Sequence, residues 1–348
     1  MTTEIVQASV FATSVQELKD IAAGKFDGYM YTRYANPTTR AAEEQIAKLE
    51  GAEDCIVSAS GQAAMFTAVL ATCRAGDEIV AMQDLYGGTL KLLSEVLSGL
   101  AINVTLVPFS ELPRFAEYLS DKTRLAILES PTNPTLRVAD LKALCTQAHA
   151  RGVLTLVDNT FATPIFQQPL SFGADIVMHS ATKYLGGHSD VSAGALCGSR
   201  ELMARCRKVH ILAGGVLDPH ASYLLIRGIK TLSIRMERAC DNARQLAEAL
   251  TYHPQVSRVY YPGMGAMVSI EVKGGAAAAE RLLCSTKLWT FAASLGGVES
   301  TMSYPVLASH TGLEDQWEAL GITPALVRLS VGIEAYEDLI ADLEQALA

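Results

Sequence analysis

Short apolar runs that alternate with helix-like segments constrain the fold of this chain more than any other feature. A short, continuously apolar strand is buried on both faces, which is typical of a parallel sheet covered by helices. The alternation therefore predicts an α/β fold with a mostly parallel sheet and right-handed crossovers. The apolar runs are 55–57, 78–81, 103–107, 125–128, 154–157 and 175–178, and the helix-like segments are 39–50, 62–72, 89–97 and 139–150.

The pattern changes after about Gly194. A long helical stretch covers 221–250, and Gly228 is expected to kink or break it. Strand-like runs at 256–261, 268–272 and 327–331 then predict a smaller α+β unit. A length of 348 residues accommodates two domains, with a boundary expected near 230–235.

Composition and motif content exclude several classes of function. Acidic residues outnumber basic ones 37 to 28 and no Lys/Arg block occurs, which argues against a nucleic-acid partner. No apolar run approaches the length of a membrane span, and the first residues do not resemble a signal peptide. The seven cysteines form no CxxC pair, which favours a reducing, cytoplasmic location. No metal-ligand spacing, common phosphate-loop motif or hydrolase elbow is found, so no metal site is predicted.

A lysine, Lys183, lies in a polar, glycine-rich loop directly after the apolar run 175–178. Ser180 and Thr182 precede it, and their hydroxyls suit a phosphate. Open α/β sheets bind ligands at the carboxyl ends of their parallel strands. A lysine partly desolvated there has a lowered pKa and can act as an amine nucleophile. Taken alone, a lysine is usually an ordinary solvated side chain, and only its place in this loop favours the alternative.

Three further patterns stand at the ends of other predicted strands. Asp158 ends one strand, and a carboxylate there can pair with the protonated ring nitrogen of a pyridine cofactor. Gly61 and Gln62 open a helix, whose free N–H groups can bind an anion. Tyr86, followed by two glycines, can stack on a planar ring. Each pattern alone also fits a turn cap or an ordinary strand-end residue, and only the combination favours a cofactor site.

Six longer motifs carry a family resemblance. They are YTRYANPT at 31–38, ESPTNP at 129–134, VDNT at 157–160, HSATKYLGGHSD at 179–190, SLGGVES at 294–300 and VRLSVGIE at 327–334. Because of these motifs, the chain resembles the Cys/Met-metabolism family of pyridoxal-phosphate enzymes from about Ile5 to its C-terminus. That family includes cystathionine γ-synthase, γ-lyase and β-lyase, methionine γ-lyase and O-acetylhomoserine sulfhydrylase.

The resemblance implies a fold-type I, aspartate-aminotransferase-like structure with pyridoxal 5'-phosphate as cofactor. It divides the chain into an N-terminal arm at 1–35, a cofactor-binding large domain at 36–232 and a small domain at 233–348. Members of the family usually begin some tens of residues earlier and carry an extra segment between Gly263 and Met267. We therefore expect the printed sequence to omit residues, with a natural or engineered short enzyme as the alternative.

The resemblance also implies a role for each matching residue. Lys183 would hold the cofactor and later move protons, and Asp158 would pair with the ring nitrogen. Tyr86 would stack on the ring and act as an acid or base near the leaving group. The phosphate would be bound by four residues of this chain. These are Gly61, Gln62, Ser180 and Thr182.

Recognition of the substrate and of a neighbouring subunit follows from the same resemblance. Arg328 would bind the α-carboxylate of a small amino-acid substrate, helped by Asn133 and Ser294. Tyr31 and Arg33 would reach the phosphate of the neighbouring subunit. The active unit is then at least a homodimer, and the family usually forms a homotetramer.

The expected reaction is γ-elimination or γ-replacement on sulfur-containing or O-acylated homoserine-type amino acids, similar to that of cystathionine γ-lyase or γ-synthase. Several residues depart from the subfamily patterns. Ala293 stands where the cystathionine γ-enzymes often have Glu, Lys91 where γ-lyases often have Arg, and Gly88 where methionine γ-lyases often have Cys. Methionine γ-lyase, cystathionine β-lyase and O-acetylhomoserine sulfhydrylase therefore stay open, as does a cofactor-binding module without turnover.

Overall fold

The larger of two sheets confirms the predicted mostly parallel arrangement. A computed structural model describes residues 3–23, 25 and 28–348. The strands of this sheet run in the order β1-β7-β6-β5-β4-β2-β3. All pairs from β6 to β3 are parallel, whereas β7 is antiparallel to both β6 and β1. The strands are β1 (Asp54–Ser58), β2 (Glu78–Met82), β3 (Asn103–Val107), β4 (Thr123–Glu129), β5 (Leu154–Asp158), β6 (Ile176–His179) and β7 (Gly194–Gly198).

A smaller sheet forms the C-terminal part of the fold, as predicted. Its order is β10-β11-β12-β9-β8, and every pair is antiparallel except β10 with β11. The strands are β8 (Val256–Tyr260), β9 (Met267–Val272), β10 (Thr290–Phe291), β11 (Thr301–Ser303) and β12 (Leu326–Ser330).

The α-helices connect and cover these sheets. A π-helical turn at Leu92–Val96 extends the fourth of them. Within the described ranges, no helix is both long and apolar enough to cross a bilayer. The helices are α1 (Val15–Ala22), α2 (Pro37–Glu50), α3 (Gly61–Thr72), α4 (Gly87–Lys91), α5 (Leu141–His149), α6 (Thr163–Phe166), α7 (Arg200–Ala213), α8 (Pro219–Ile229), α9 (Leu232–Thr251), α10 (Gly275–Ser285), α11 (Trp317–Leu320) and α12 (Tyr336–Leu347).

Both faces of the large sheet are buried, which explains its continuously apolar strands. Along β1, Ile56 packs into the core formed with α3, α5 and α7, while Cys55 and Val57 pack into the core formed with α2 and α8. This alternation is the two-residue period of a strand. Helix α9 contributes its first half to the second of these cores and its second half to the core of the small sheet.

Some predicted elements differ from the structure in detail. Strand β7 was not predicted, because its residues, GALCG, are mostly small and have low strand propensity. The predicted helix 89–97 starts two residues earlier and changes to π geometry after Lys91. The stretch 221–250 is two helices, α8 and α9, and the break follows Gly228 as expected. The division at 35/36 and 232/233 stays a prediction, although α9 begins at Leu232.

Candidate active site

The carboxyl end of the large sheet and a loop of the small unit enclose a cavity of about 320 Å³. Its wall contains residues from the ends of β4, β5 and β6, the start of α3 and strand β12. Of the twelve predicted site residues, all but Tyr31 and Arg33 line it. The ten that the structure brings together are Gly61, Gln62, Tyr86, Asn133, Asp158, Ser180, Thr182, Lys183, Ser294 and Arg328.

One end of the cavity is the N-terminus of α3. Gly61 and Gln62 are its first two residues, so their N–H groups have no partner inside the helix and lie at the positive end of its dipole. A Cβ on Gly61 would lie 3.0 Å from Cβ of Ser180, so the missing side chain keeps this corner open. Thr182 lines the same wall, but its Oγ1 donates to the carbonyl of Ala193 at 3.1 Å. The corner therefore suits a small anion, bound through backbone N–H groups and the Ser180 hydroxyl.

A buried carboxylate, Asp158, stands at the carboxyl end of β5. Its Oδ1 accepts hydrogen bonds from the backbone N–H of Thr160 at 3.0 Å and from the Thr160 hydroxyl at 2.5 Å. Burial raises the pKa of Asp158, and the two bonds from Thr160 oppose that shift. A cation placed against this carboxylate would favour its charged form further.

Tyr86 caps α4 and reaches over the cavity with 43% of its surface exposed. A Cβ on Gly88 would collide with its ring, so the glycine after Gly87 is what allows the ring to lie against the helix start. The backbone N–H of Tyr86 donates to Oε2 of Glu129 at 2.8 Å. The ring therefore lies against the backbone at Gly88, and its other side faces the cavity.

Glu129 is the cavity residue that the sequence analysis missed as a functional group. It ends β4, is buried, and stands opposite Asp158 in the register between β4 and β5. Burial, and then the charge of Asp158, hold the pKa of Glu129 well above its usual range. The available signal in the sequence was its place directly after the apolar run 125–128, at the start of the ESPTNP motif.

Lys183 follows β6 and points into the cavity, where its Nζ donates to Oγ of Ser294 at 3.0 Å. Burial, and then the nearby charge of Arg328, lower the pKa of Lys183 to about 8. The neutral fraction of this amine near neutral pH is therefore larger than that of an ordinary lysine by a factor on the order of 100. The neutral form is the nucleophile and base that lysine chemistry requires.

Arg328 lies within β12 and is only 4% exposed. Its Nη1 donates to Oδ1 of Asn133 at 2.8 Å, and its Nη2 donates to the carbonyl of Ser294 at 3.2 Å. Its Nε is buried without a partner among the described residues. Burial lowers the pKa of Arg328 to about 10, so it stays cationic at neutral pH. An orphaned donor on a buried cation at a cavity wall is a ready site for a carboxylate.

Tyr31 and Arg33 lie away from this cavity. The guanidinium of Arg33 stacks on Tyr34 at 4.8 Å and on Tyr31 at 5.6 Å, and its Nη1 donates to the carbonyl of Ile211 at 2.7 Å. Arg33 lines a second cavity, of about 220 Å³, beside α2 and α7. Tyr31 is 41% exposed. Within one protomer, neither residue reaches Lys183's cavity.

The residues of the large cavity fit pyridoxal phosphate. The corner at Gly61 suits its phosphate, Asp158 suits its ring nitrogen, and the Tyr86 ring suits its flat face. Lys183 lines the same cavity and would supply an amine for this cofactor, and the unpartnered Nε of Arg328 is left for a carboxylate of another molecule. No side chain of the wall contradicts this fit.

Comparison with known proteins agrees with the geometry. The family model for Cys/Met metabolism PLP-dependent enzymes matches residues 1–348. The L-methionine gamma-lyase of Fusobacterium nucleatum subsp. polymorphum is 44% identical over 92% of this chain and 86% of its own length. The cystathionine gamma-lyase of Bacillus subtilis is 43% identical over 97% and 94%. Others, 40% identical, are named cystathionine gamma-synthase and cystathionine beta-lyase.

Solved structures give the same answer for the fold. The crystal structure of metB from Corynebacterium glutamicum superposes with a TM-score of 0.94 at 38% identity, covering 99% of this chain and 92% of that one. The predicted fold class, enzyme class and cofactor are thereby confirmed. The relatives act in sulfur amino-acid metabolism under several different names, so they define the reaction class and leave the substrate open. This chain belongs to the Cys/Met metabolism family of pyridoxal-phosphate-dependent enzymes.

Proposed function

We propose that this enzyme eliminates or replaces the γ-substituent of a sulfur-containing or O-acylated homoserine-type amino acid. The observation that carries the proposal is the meeting of Lys183 and Arg328 at Ser294. Lys183 donates to the hydroxyl of Ser294, and Arg328 donates to its carbonyl. A carboxylate held by Arg328 would therefore bring the attached α-carbon of an amino acid next to the lysine amine.

Substrate positioning begins with the carboxylate. Nε of Arg328 offers it the donor that has no other partner, and the bond from Nη1 to Asn133 fixes the plane of the guanidinium. Burial makes this contact strong because little water competes for the charge. The Ser294 carbonyl accepts a further hydrogen bond from Nη2 of the guanidinium. These contacts orient the amino acid before any bond changes.

Proton transfer is the task of Lys183. The bound cofactor supplies an electron-withdrawing ring that acidifies the protons of the substrate. With its pKa lowered to about 8, Lys183 can take the α-proton as a base and return it as an acid. Tyr86 lines the cavity and is partly exposed, so its hydroxyl would protonate the leaving group. Asp158, held by Thr160, presents a carboxylate where the ring nitrogen would lie, and a protonated ring nitrogen there would favour its charged form.

The position of bond cleavage, γ or β, is tested by the product. Purified enzyme with pyridoxal phosphate would be supplied with cystathionine, methionine, O-acetylhomoserine and serine derivatives, and the 2-oxo acid measured. Release of 2-oxobutyrate from the first three would support cleavage at the γ-carbon. Formation of pyruvate alone would overturn it in favour of a β-lyase. Cofactor binding without any turnover would instead favour a non-catalytic module.

The assembly is also part of the proposal. Arg33 and Tyr31 remain outside the cavity of their own protomer, which supports the expectation that they complete the phosphate site of a neighbouring subunit. The active unit is then a homodimer or a tetramer of two such dimers. A cytoplasmic location is supported by the cysteines, all seven of which are free thiols.

A further inference from the structure

A buried arginine that the proposed chemistry does not use lies behind the Lys183 loop. Arg235, in the first turns of α9, is 6% exposed. Its three hydrogen bonds within the described residues all go to neutral oxygens. Nη1 donates to the carbonyl of Tyr184 at 2.9 Å, Nη2 to the carbonyl of Gly228 at 2.9 Å and Nε to Oγ1 of Thr231 at 3.1 Å. Burial lowers its pKa to about 10, so it is still cationic.

The backbone around this guanidinium is shaped to admit it. A Cβ on Gly187 would collide with the guanidinium of Arg235, and Gly187 has a positive φ of 73°. A Cβ on Gly228 would collide with the carbonyl of Gly186. Two glycines are thus required at the contact between the Lys183 loop and the α8–α9 junction. Such close approach of backbones is one of the physical uses of glycine.

The same loop is bounded on its other side by the small unit. A Cβ on Gly296, which has a φ of 78°, would lie 2.8 Å from the N atom of Tyr184 and 3.1 Å from the carbonyl carbon of Lys183. Ser294, two residues earlier, accepts the hydrogen bond from Nζ of Lys183. The backbone of Lys183 and Tyr184 is therefore confined between the Ser294–Gly296 loop and Arg235.

Helix α9, which carries Arg235, packs against both parts of the fold. Leu232 and Met236, on either side of Arg235, pack into a core of the large sheet. Leu246 and Leu250, farther along α9, pack into the core of the small sheet, which also contains the Arg328 neighbours Val327 and Leu329. A shift of α9 would therefore be transmitted to the lysine loop through Arg235 and to the carboxylate site through β12.

We propose that Arg235 is a positioning residue that fixes Lys183 relative to the small sheet and so sets the environment of its amine. It is not among the residues that line the cavity, and it acts through the Tyr184 carbonyl. A planar guanidinium is suited to this task because its donors diverge in fixed directions toward separate acceptors. Lysine carries the same charge but can satisfy fewer of these oxygens in a fixed geometry. The inference rests on the proposed function of Lys183.

The test compares Arg235→Lys with Arg235→Met and with a matched control, Arg238→Met. Arg238 lies one turn along the same helix, is exposed, and donates from Nη2 to the carbonyl of Glu334 at 3.2 Å. The first readout uses enzyme freed of cofactor. The rate at which added pyridoxal phosphate attaches to Lys183 is followed by borohydride trapping and peptide mass, as a function of pH.

We expect a midpoint near pH 8 for the unaltered enzyme, because the neutral amine attaches. In Arg235→Lys the loosened loop admits water, so the midpoint moves upward toward the ordinary lysine value. The second readout is turnover, where we expect kcat to fall by about tenfold to 100-fold with a smaller change in KM. Arg238→Met should match the unaltered enzyme in both readouts.

The possible outcomes separate this inference from the proposed function. If Arg235→Lys folds, with an unchanged far-ultraviolet spectrum, and keeps both the midpoint and kcat, Arg235 is merely structural and the inference is overturned. Should Arg235→Met fail to fold, the lysine variant still decides. If the unaltered enzyme attaches pyridoxal phosphate at a residue other than Lys183, the proposed function itself fails, whatever the variants do.

Discussion

The two sheets contribute to the active site in different ways. The large sheet supplies groups from the ends of its parallel strands, such as Asp158 at the end of β5 and Lys183 after β6. The small antiparallel sheet supplies Arg328 from the middle of β12, with Val327 and Leu329 buried on either side. Loops that follow parallel strands gather at one edge of a sheet. A charged side chain in the middle of a strand is instead buried, which costs free energy unless hydrogen-bond partners compensate for it. The comparison suggests that the large sheet holds the cofactor and the small sheet recognises the substrate.

The largest expected effect is on the side of the large sheet. Lys183→Ala should lower turnover at least about 1000-fold, because both attachment of the cofactor and proton transfer depend on this amine. The measurement is 2-oxo acid release with saturating pyridoxal phosphate, alongside circular dichroism to show that the fold persists. A variant that is folded and active would break the assignment of the large sheet to cofactor chemistry.

The next effect belongs to the small sheet. Arg328→Ala should lower kcat/KM by about 100-fold, since a buried carboxylate would lose a charge-assisted donor. Binding of pyridoxal phosphate, followed by its absorption, should change little. Arg258→Ala is the control, because Arg258 lies on β8 of the same sheet but is exposed. Loss of cofactor binding in Arg328→Ala would erase the distinction between the two sheets.

A smaller effect tests whether the cofactor site of the large sheet is complete within one protomer. Arg33→Ala should lower activity by about tenfold or more through a weakened phosphate site. If Arg33 serves the neighbouring subunit, mixing inactive Lys183→Ala with Arg33→Ala subunits and allowing exchange should restore part of the activity. The hybrid would contain a site with Lys183 from one chain and Arg33 from the other. No restoration despite demonstrated exchange would count against sharing between subunits.

The smallest expected effect concerns stability. The pKa of Lys183 is lowered from its ordinary 10.5 to about 8, so between these values the unfolded chain binds more protons than the folded one. The contribution of this group to folding is therefore unfavourable below pH 8 and becomes less so as the pH rises toward 10.5. Lys183→Met should stabilise the cofactor-free enzyme at pH 7 by on the order of 1 kcal/mol.

Chemical denaturation at pH 7 and pH 10 measures this difference. The advantage of Lys183→Met should shrink at the higher pH, because pH 10 lies above the folded-state pKa of about 8 and close to the unfolded-state value of 10.5, so most of the cost of keeping the buried amine neutral is gone. An advantage of the same size at both pH values would show that folding does not lower the pKa of the Lys183 amine. It would also remove the reason for expecting free amine near neutral pH.

Candidate site residues could be located from the sequence where they lie at the carboxyl ends of parallel strands. Lys183, Asp158 and Tyr86 could each be placed at one edge because parallel strands bring their carboxyl ends together. Sequence reasoning was less effective for Glu129. This residue also ends a strand, but the local sequence does not distinguish it from an ordinary acidic residue at a strand end. Its buried position beside Asp158 depends on the register between β4 and β5, which no local pattern contains.

The sequence by itself determined the α/β class, the family and the pyridoxal-phosphate cofactor, because apolar periodicity and short motifs are local properties of the chain. Only the tertiary structure decided which distant groups meet. Ser294 joins Lys183 and Arg328, Arg235 reaches the carbonyl of Tyr184, and Arg33 stays outside the cavity. Such contacts link residues 34 to 111 positions apart, so they are fixed by the packing of elements and by the burial of charge, which local sequence does not encode.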